Sequence, residues 1–157
     1  MAVHYKSGNL LDAPVDYICH QVNCQGRMGS GIAKQIRERW PVVYEHYMTL
    51  YNTKGIDVRY ELLGEIQVVN VESNRNIINM FGQESYGYDG RRYTSYDAFW
   101  SCLGKIKAIV PKGSKIGFPY GIGCGLGGAN WEVISTMIDV ALGDDYDVYI
   151  YCLREDK

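Results

Sequence analysis

The residues best suited to chemistry gather at two glycine-rich stretches. In the first, His20 stands three residues ahead of Asn23, which opens Asn23-Cys24-Gln25-Gly26-Arg27-Met28-Gly29-Ser30-Gly31-Ile32-Ala33. An imidazole near the carboxyl end of a strand is placed to exchange a proton close to neutral pH. The competing reading of His20 is a hydrogen-bonded core residue of an apolar strand. The glycines let the chain turn sharply and come close to a ligand. A helix opening directly after such a loop offers unpaired N–H groups and the positive end of its dipole to a phosphate or carboxylate. The second stretch, Tyr120-Gly121-Ile122-Gly123-Cys124-Gly125-Leu126-Gly127-Gly128, has the same character. Two such loops could close on a diphosphate from opposite sides. Between them lies Gly82 to Tyr93, too polar and glycine-rich for a packed element. There Asp89 reads either as an acid–base partner or as a turn residue. Arg91 and Arg92 could grip a phosphate, and Tyr86, Tyr88, Tyr93 and Tyr96 could cover a ring.

The pattern supplies elements to hold these loops. Val3 to Lys6 and Tyr17 to Val22 read as strands, the second apolar on both alternating faces and therefore suited to a sheet covered on both sides. After the first loop, Ser30 is a candidate cap for a helix with Ile32, Ile36 and Trp40 inward, ending before Pro41. Pro41 then starts a helix with Val43, Tyr47, Leu50 and Tyr51 on one face and Gly55 as its stop. Ile66 to Val71 and Asn76 to Phe81 are strands joined by a polar turn. Thr94 and Asp97 have capping-box spacing for a helix burying Tyr96, Phe99, Trp100, Leu103 and Ile106. Lys115 to Pro119 is a strand. Asn130 caps a helix with Ile134, Met137, Ile138 and Ala141 inward and Gly143 beyond its end, and Tyr146 to Leu153 closes the sheet. Alternating strands and helices give an α/β class fold.

Composition narrows the function. A length of 157 residues fits one domain, 1–157, and a net charge of −2 argues against a bulk field for nucleic acid. No apolar run approaches the ~18 residues of a membrane span, and Met1-Ala2-Val3-His4-Tyr5-Lys6 lacks a signal-peptide core. No membrane partner is expected, and the five scattered cysteines read as reduced thiols of a cytoplasmic, monomeric protein. Three histidines far apart in sequence leave no evident metal site. Cys24 and Cys124 have no general base nearby in sequence, so neither is read as a nucleophile. Gly123-Cys124-Gly125-Leu126-Gly127-Gly128 formally matches G-x-G-x-x-G, but no acidic residue clearly ends the next strand, Glu155 being the nearest.

In combination, Gly8-Asn9-Leu10, Val22-Asn23-Cys24-Gln25-Gly26 with Met28-Gly29-Ser30-Gly31-Ile32-Ala33, and Ile122-Gly123-Cys124-Gly125-Leu126-Gly127-Gly128 with Trp131 resemble the macrodomain family over nearly the whole chain. The resemblance implies a three-layer α/β/α sandwich with a central mixed, mostly parallel sheet, and ADP-ribose as ligand with no cofactor. It implies that Asn9 and Leu10 meet the adenine, with Tyr151 flanking it. It places the distal ribose at Asn23, Gly29, Gly31 and Ile32, and the diphosphate at Ile122, Gly123, Cys124, Gly125, Leu126 and Gly127. His20, Asn23, Cys24 and Gly26 are similar to the branch that processes ADP-ribose 1″-phosphate, which implies phosphatase activity with His20 and Asp89 as the catalytic pair. A related branch removes ADP-ribose from modified protein or nucleic acid, so nucleic acid enters only as an ADP-ribosylated substrate. That branch relies on a lysine after Phe81, and some members also on an acidic residue after the G-C-G-L motif, where this chain has Gln83 and Gly127 near those positions. A non-catalytic ADP-ribose reader shares all the binding features.

Overall fold

Segments with two apolar faces form the middle of the sheet, and each face is roofed by amphipathic helices. The computed structural model describes residues 2–29, 31–54, 61–85, 87 and 89–153. Ser30 as a cap, Gly55 as a stop, the Tyr51 side chain, Tyr86 and Tyr88 lie outside what is described. In chain order the elements are β1 Val3–Ser7, a 3-10 turn Leu10–Asp12, β2 Tyr17–Asn23, α1 Gly31–Arg39, α2 Pro41–Lys54, β3 Ile66–Glu72, β4 Arg75–Gln83, α3 Tyr96–Ile109, β5 Lys115–Pro119, α4 Trp131–Leu142 and β6 Asp147–Cys152.

The strands form one six-stranded sheet in the order β1-β6-β5-β2-β4-β3, with β3 antiparallel to β4 and every other pair parallel. Alternate residues of the strands feed two cores. Cys19, Ile78, Met80, Ile116, Phe118, Val148 and Ile150 pack beneath α3 and α4. Ile18, Val22, Val69, Ile77 and Phe81 pack beneath the 3-10 turn, α1 and α2. This is the mixed, mostly parallel sheet of a three-layer α/β/α sandwich.

Topology fixes where a ligand belongs. From the carboxyl end of β2 the chain departs towards β4 and β3 through α1 and α2, whereas from β5 it departs towards β6 through α4. β2 and β5 are neighbours, so their following loops part in opposite directions and leave a crevice between them. Both glycine stretches emerge there.

Several local expectations shift. Ser95, not Thr94, caps α3 by accepting from Ala98 N–H, and Thr94 is buried, only 2% exposed. Trp100 is 47% exposed and Cys102 takes its place inside, because the inward stripe of α3 runs through Phe99, Cys102, Leu103 and Ile106. β4 runs on through Gly82 and Gln83, so the polar loop starts later than its composition suggests. Gly143 ends α4 at φ −61, an ordinary helical angle; glycine fits because a Cβ would stand 2.7 Å from the Asp139 carbonyl oxygen.

Candidate functional site

Along the carboxyl edge of the sheet runs a cleft in two connected parts. One, of about 190 Å³, lies over the ends of β1, β6 and β5, against Asn9, Leu10, Gln35, Tyr151 and Leu153. The other, of about 300 Å³, lies over β5, β2 and β4, against Gln21, Gln83 and the loop from Gly121 to Gly127. Ile32, Pro119 and Tyr120 belong to both, so the parts are continuous. The residues expected at adenine and at the diphosphate, Cys124 excepted, are therefore brought to one cleft. Asn9 also caps the 3-10 turn, its Oδ1 accepting from Leu11 N–H at 3.0 Å, which leaves one lone pair and the amide N–H groups for a base.

The second glycine loop lines the cleft with donors. Among the described residues, the N–H groups of Gly121, Gly123, Gly125, Leu126 and Gly127 donate to no acceptor, while Cys124, Gly128 and Ala129 close internal turns onto Gly121, Gly125 and Gly123 carbonyls. Gly121 and Gly123 both sit at φ +77, where a side chain would be strained. Successive free N–H groups on such a turn form a concavity for an anion. The Cys124 thiol points back to the Ile122 carbonyl at 3.4 Å, so this residue shapes the turn and does not line the cleft.

From Cys24 to Arg27 the donors of the first glycine loop are engaged by other parts of the protein. Asn23 Oδ1 accepts from Gln25 N–H at 2.9 Å and Arg27 N–H at 3.3 Å, and its amide donates to the Arg27 carbonyl at 3.0 Å. The Tyr47 hydroxyl, from α2, donates to the Asn23 carbonyl at 2.6 Å and accepts from Gly26 and Arg27 N–H. Cys24 N–H goes to the Glu84 carbonyl. Asn23 is only 9% exposed and holds its own loop in place, and among the described residues of this stretch Ile32 lines both parts of the cleft.

No family model matches the chain. Two curated relatives named DNA ADP-ribosyl glycohydrolase, from Thermus aquaticus and Mycobacterium tuberculosis, are 25% and 27% identical over 95% of this chain. The chain spans 41% and 42% of their lengths, about four-tenths of each. A Bacteroides thetaiotaomicron protein of unknown function superposes with a TM-score of 0.84 at 28% identity, covering 98% of this chain and 99% of that one. The macrodomain of Mycobacterium tuberculosis DarG gives 0.79 at 24%, covering 95% and 96%. A macrodomain protein from Streptomyces coelicolor gives 0.75 at 25%, covering 95% and 97%. In sequence and fold the chain is similar to these macrodomains.

Within this fold the two residues expected to be catalytic stand in different surroundings. Alternation turns His20 to the face of Ile18 and Val22, away from Gln21 and the cleft, and it is 0% exposed. Its Nε2 lies 2.5 Å from Asn79 Oδ1, whose amide donates to Gln67 on β3, which in turn donates to the His46 carbonyl on α2. Burial pulls the imidazole pKa down to about 4, only partly offset by Asn79, so His20 is neutral at physiological pH. Asp89 is exposed on the loop beyond β4. The Tyr93 hydroxyl, the Arg91 N–H and the Arg91 guanidinium, 2.9 Å away, hold its carboxyl below the usual range. His20 thus sits in the core with Nε2 paired to Asn79 and Nδ1 without a hydrogen-bond partner among the described residues.

Amides and a hydroxyl instead stand at the far end of the cleft. Gln21 Nε2 donates to Gln83 Oε1 at 2.7 Å and to Thr94 Oγ1 at 2.8 Å, and Gln83 donates to the Ser85 carbonyl. Gln83 is thus hydrogen-bonded where the related branch has lysine. A Cβ on Gly127 would stand 2.5 Å from both Thr94 Oγ1 and the Gly123 carbonyl, so no acidic side chain fits there. Gln21, Thr94, Tyr47 and Tyr120 were not singled out from sequence as site residues. Gln21 and Gln83 did carry a signal, as polar residues near the carboxyl ends of two apolar strands. Burial pushes the Cys24 thiol up to about 12 and the Cys124 thiol upward, which agrees with neither being a nucleophile.

Proposed function

We propose that this chain binds ADP-ribose along the cleft and hydrolyses the linkage at C1″ of its distal ribose, with an ADP-ribosyl group carried on DNA as substrate. The observation that carries the binding is the run of free N–H groups in the second glycine loop, at the switch point between β5 and β2. It suits a diphosphate. The adenine then lies towards Asn9 and Tyr151, and the distal ribose towards Gln21, Gln83 and Ile32, following the strand order. The names of the two glycohydrolase relatives, matched over nearly all of this chain, support the hydrolytic step. Among the described residues lining the two parts of the cleft there is no carboxylate or imidazole, and these residues contribute by binding and positioning the ADP-ribosyl group for attack by water.

Dephosphorylation of ADP-ribose 1″-phosphate is the second reading, favoured by the spacing of His20, Asn23, Cys24 and Gly26. It requires His20 to reach the cleft from a fully buried position on the opposite face. Calorimetric titration with ADP-ribose tests the shared binding step, and absence of binding removes both readings. Incubation with ADP-ribosylated DNA and, separately, with ADP-ribose 1″-phosphate then divides them. Free ADP-ribose from the first supports the glycohydrolase, and phosphate from the second supports the phosphatase. Binding with neither product leaves a reader.

A further inference from the structure

We propose that Thr94, oriented by Gln21, is the positioning residue of the second glycine loop: its hydroxyl fixes the Gly123 carbonyl and thereby aims the free N–H groups that follow. Gly123 at φ +77 lies in a region only glycine visits easily, and the peptides beside a glycine are free to rotate unless something holds them. Two donors do so. The Gly123 carbonyl accepts from Ala129 N–H at 3.0 Å and from the Thr94 hydroxyl at 2.8 Å.

The direction of the hydroxyl proton is itself determined. Gln21 Nε2 donates to Thr94 Oγ1 at 2.8 Å, which occupies the acceptor side of the oxygen and leaves its single proton for Gly123. Gln21 is in turn oriented by its donation to Gln83 Oε1, and Gln83 by its donation to the Ser85 carbonyl, both at 2.7 Å. Backbone contacts add a second grip. Thr94 N–H at 3.0 Å and Tyr93 N–H at 2.7 Å both donate to the Gly127 carbonyl. The hydroxyl therefore holds the loop at Gly123 and the main chain holds it at Gly127, and the free donors of Gly123, Gly125, Leu126 and Gly127 lie within that bracket. Glycine at 127 is required by the same packing, since a Cβ there would meet the hydroxyl. The role depends on the ADP-ribose reading for its ligand but not for its geometry.

Thr94→Val keeps the side-chain shape and removes the hydroxyl, whereas Thr94→Ser keeps the hydroxyl. In calorimetric titration Thr94→Val is expected to weaken ADP-ribose binding by roughly tenfold or more, and Thr94→Ser to stay within about threefold of the wild type. In the protein without ADP-ribose, amide exchange at Ala129 is expected to accelerate about tenfold in Thr94→Val and to remain near the wild-type rate in Thr94→Ser. A Thr94→Val protein that binds within about twofold of the wild type, or a Thr94→Ser protein as impaired as Thr94→Val, overturns the proposal. If Thr94→Val does not fold, Gln21→Leu is the deciding variant. It leaves the hydroxyl present but unoriented, and a loss of about threefold is expected, with no loss overturning the assignment. A wild type that does not bind ADP-ribose removes only the ligand reading, and the exchange comparison then decides the role of Thr94.

Discussion

The two glycine loops have similar composition and opposite internal economies. From Cys24 to Arg27 every backbone N–H of the first loop is taken up, by the Glu84 carbonyl, the Asn23 side chain or the Tyr47 hydroxyl. From Gly121 to Gly127 most donors of the second loop are free and face a cleft. Glycine content makes a loop able to bind an anion, and the fate of its N–H groups decides whether it does. On the proposed reading the first loop is a wall that ends in Ile32, and the second is the cradle.

This contrast breaks most sharply at the cradle. Gly128 sits at φ +73, and a Cβ there would lie 2.7 Å from the Arg91 carbonyl oxygen. Gly128→Val is expected to weaken ADP-ribose binding by roughly a hundredfold, through strain of about 1–3 kcal/mol together with displacement of the loop. Calorimetry measures it, and an unchanged Kd would show that the loop does not carry the diphosphate.

Behind the wall, the His20–Asn79–Gln67 row is expected to appear as a pH effect on stability. The folded pKa of about 4 lies below the ordinary 6.5, so the unfolded chain binds a proton that the folded chain refuses between those values. Stability conferred by neutral His20 is complete above about pH 6.5 and falls on the order of 3 kcal/mol as pH drops towards 4. Urea denaturation at pH 7 and pH 4.5 should show a steeper loss in the wild type than in His20→Gln, and equal slopes would contradict the buried, neutral assignment.

Tyr47→Phe sharpens the comparison from the other side. It removes the acceptor of the Gly26 N–H and the hydroxyl donor to the Asn23 carbonyl, at a cost of about 1–3 kcal/mol in denaturation, while ADP-ribose affinity should change less than about threefold. A large affinity loss with unchanged stability would return the first loop to the binding site. The smallest effect is expected at Ser95→Ala, about 1 kcal/mol from the lost α3 cap, seen in the melting temperature with ADP-ribose binding intact.

The α/β class and both glycine loops were legible because each depends on local pattern, apolar alternation in β2, β4 and β5 and turns that only glycine makes, whereas the mostly parallel sheet came with the family resemblance. Asn130 as the α4 cap was legible for the same reason. The fate of His20 was not, since one step along β2 separates the cleft-facing Gln21 from the core-facing histidine, and strand pattern alone does not say which face meets the ligand. Thr94 was misread as a cap because its true partners, Gln21 and Gly123, are remote in sequence. The commitment of Asn23 depended likewise on Tyr47, a residue whose helical spacing marked it only as core. Side-chain to backbone bonds between distant segments leave little trace in a single sequence.

The assignment of cradle and wall is tested most directly by amide chemical shifts of the labelled wild type during titration with ADP-ribose. The largest changes are expected at Gly123, Gly125, Leu126 and Gly127, with Gln25, Gly26 and Arg27 nearly unmoved. Large shifts at Gln25 to Arg27 with a silent Gly123 to Gly127 would contradict it.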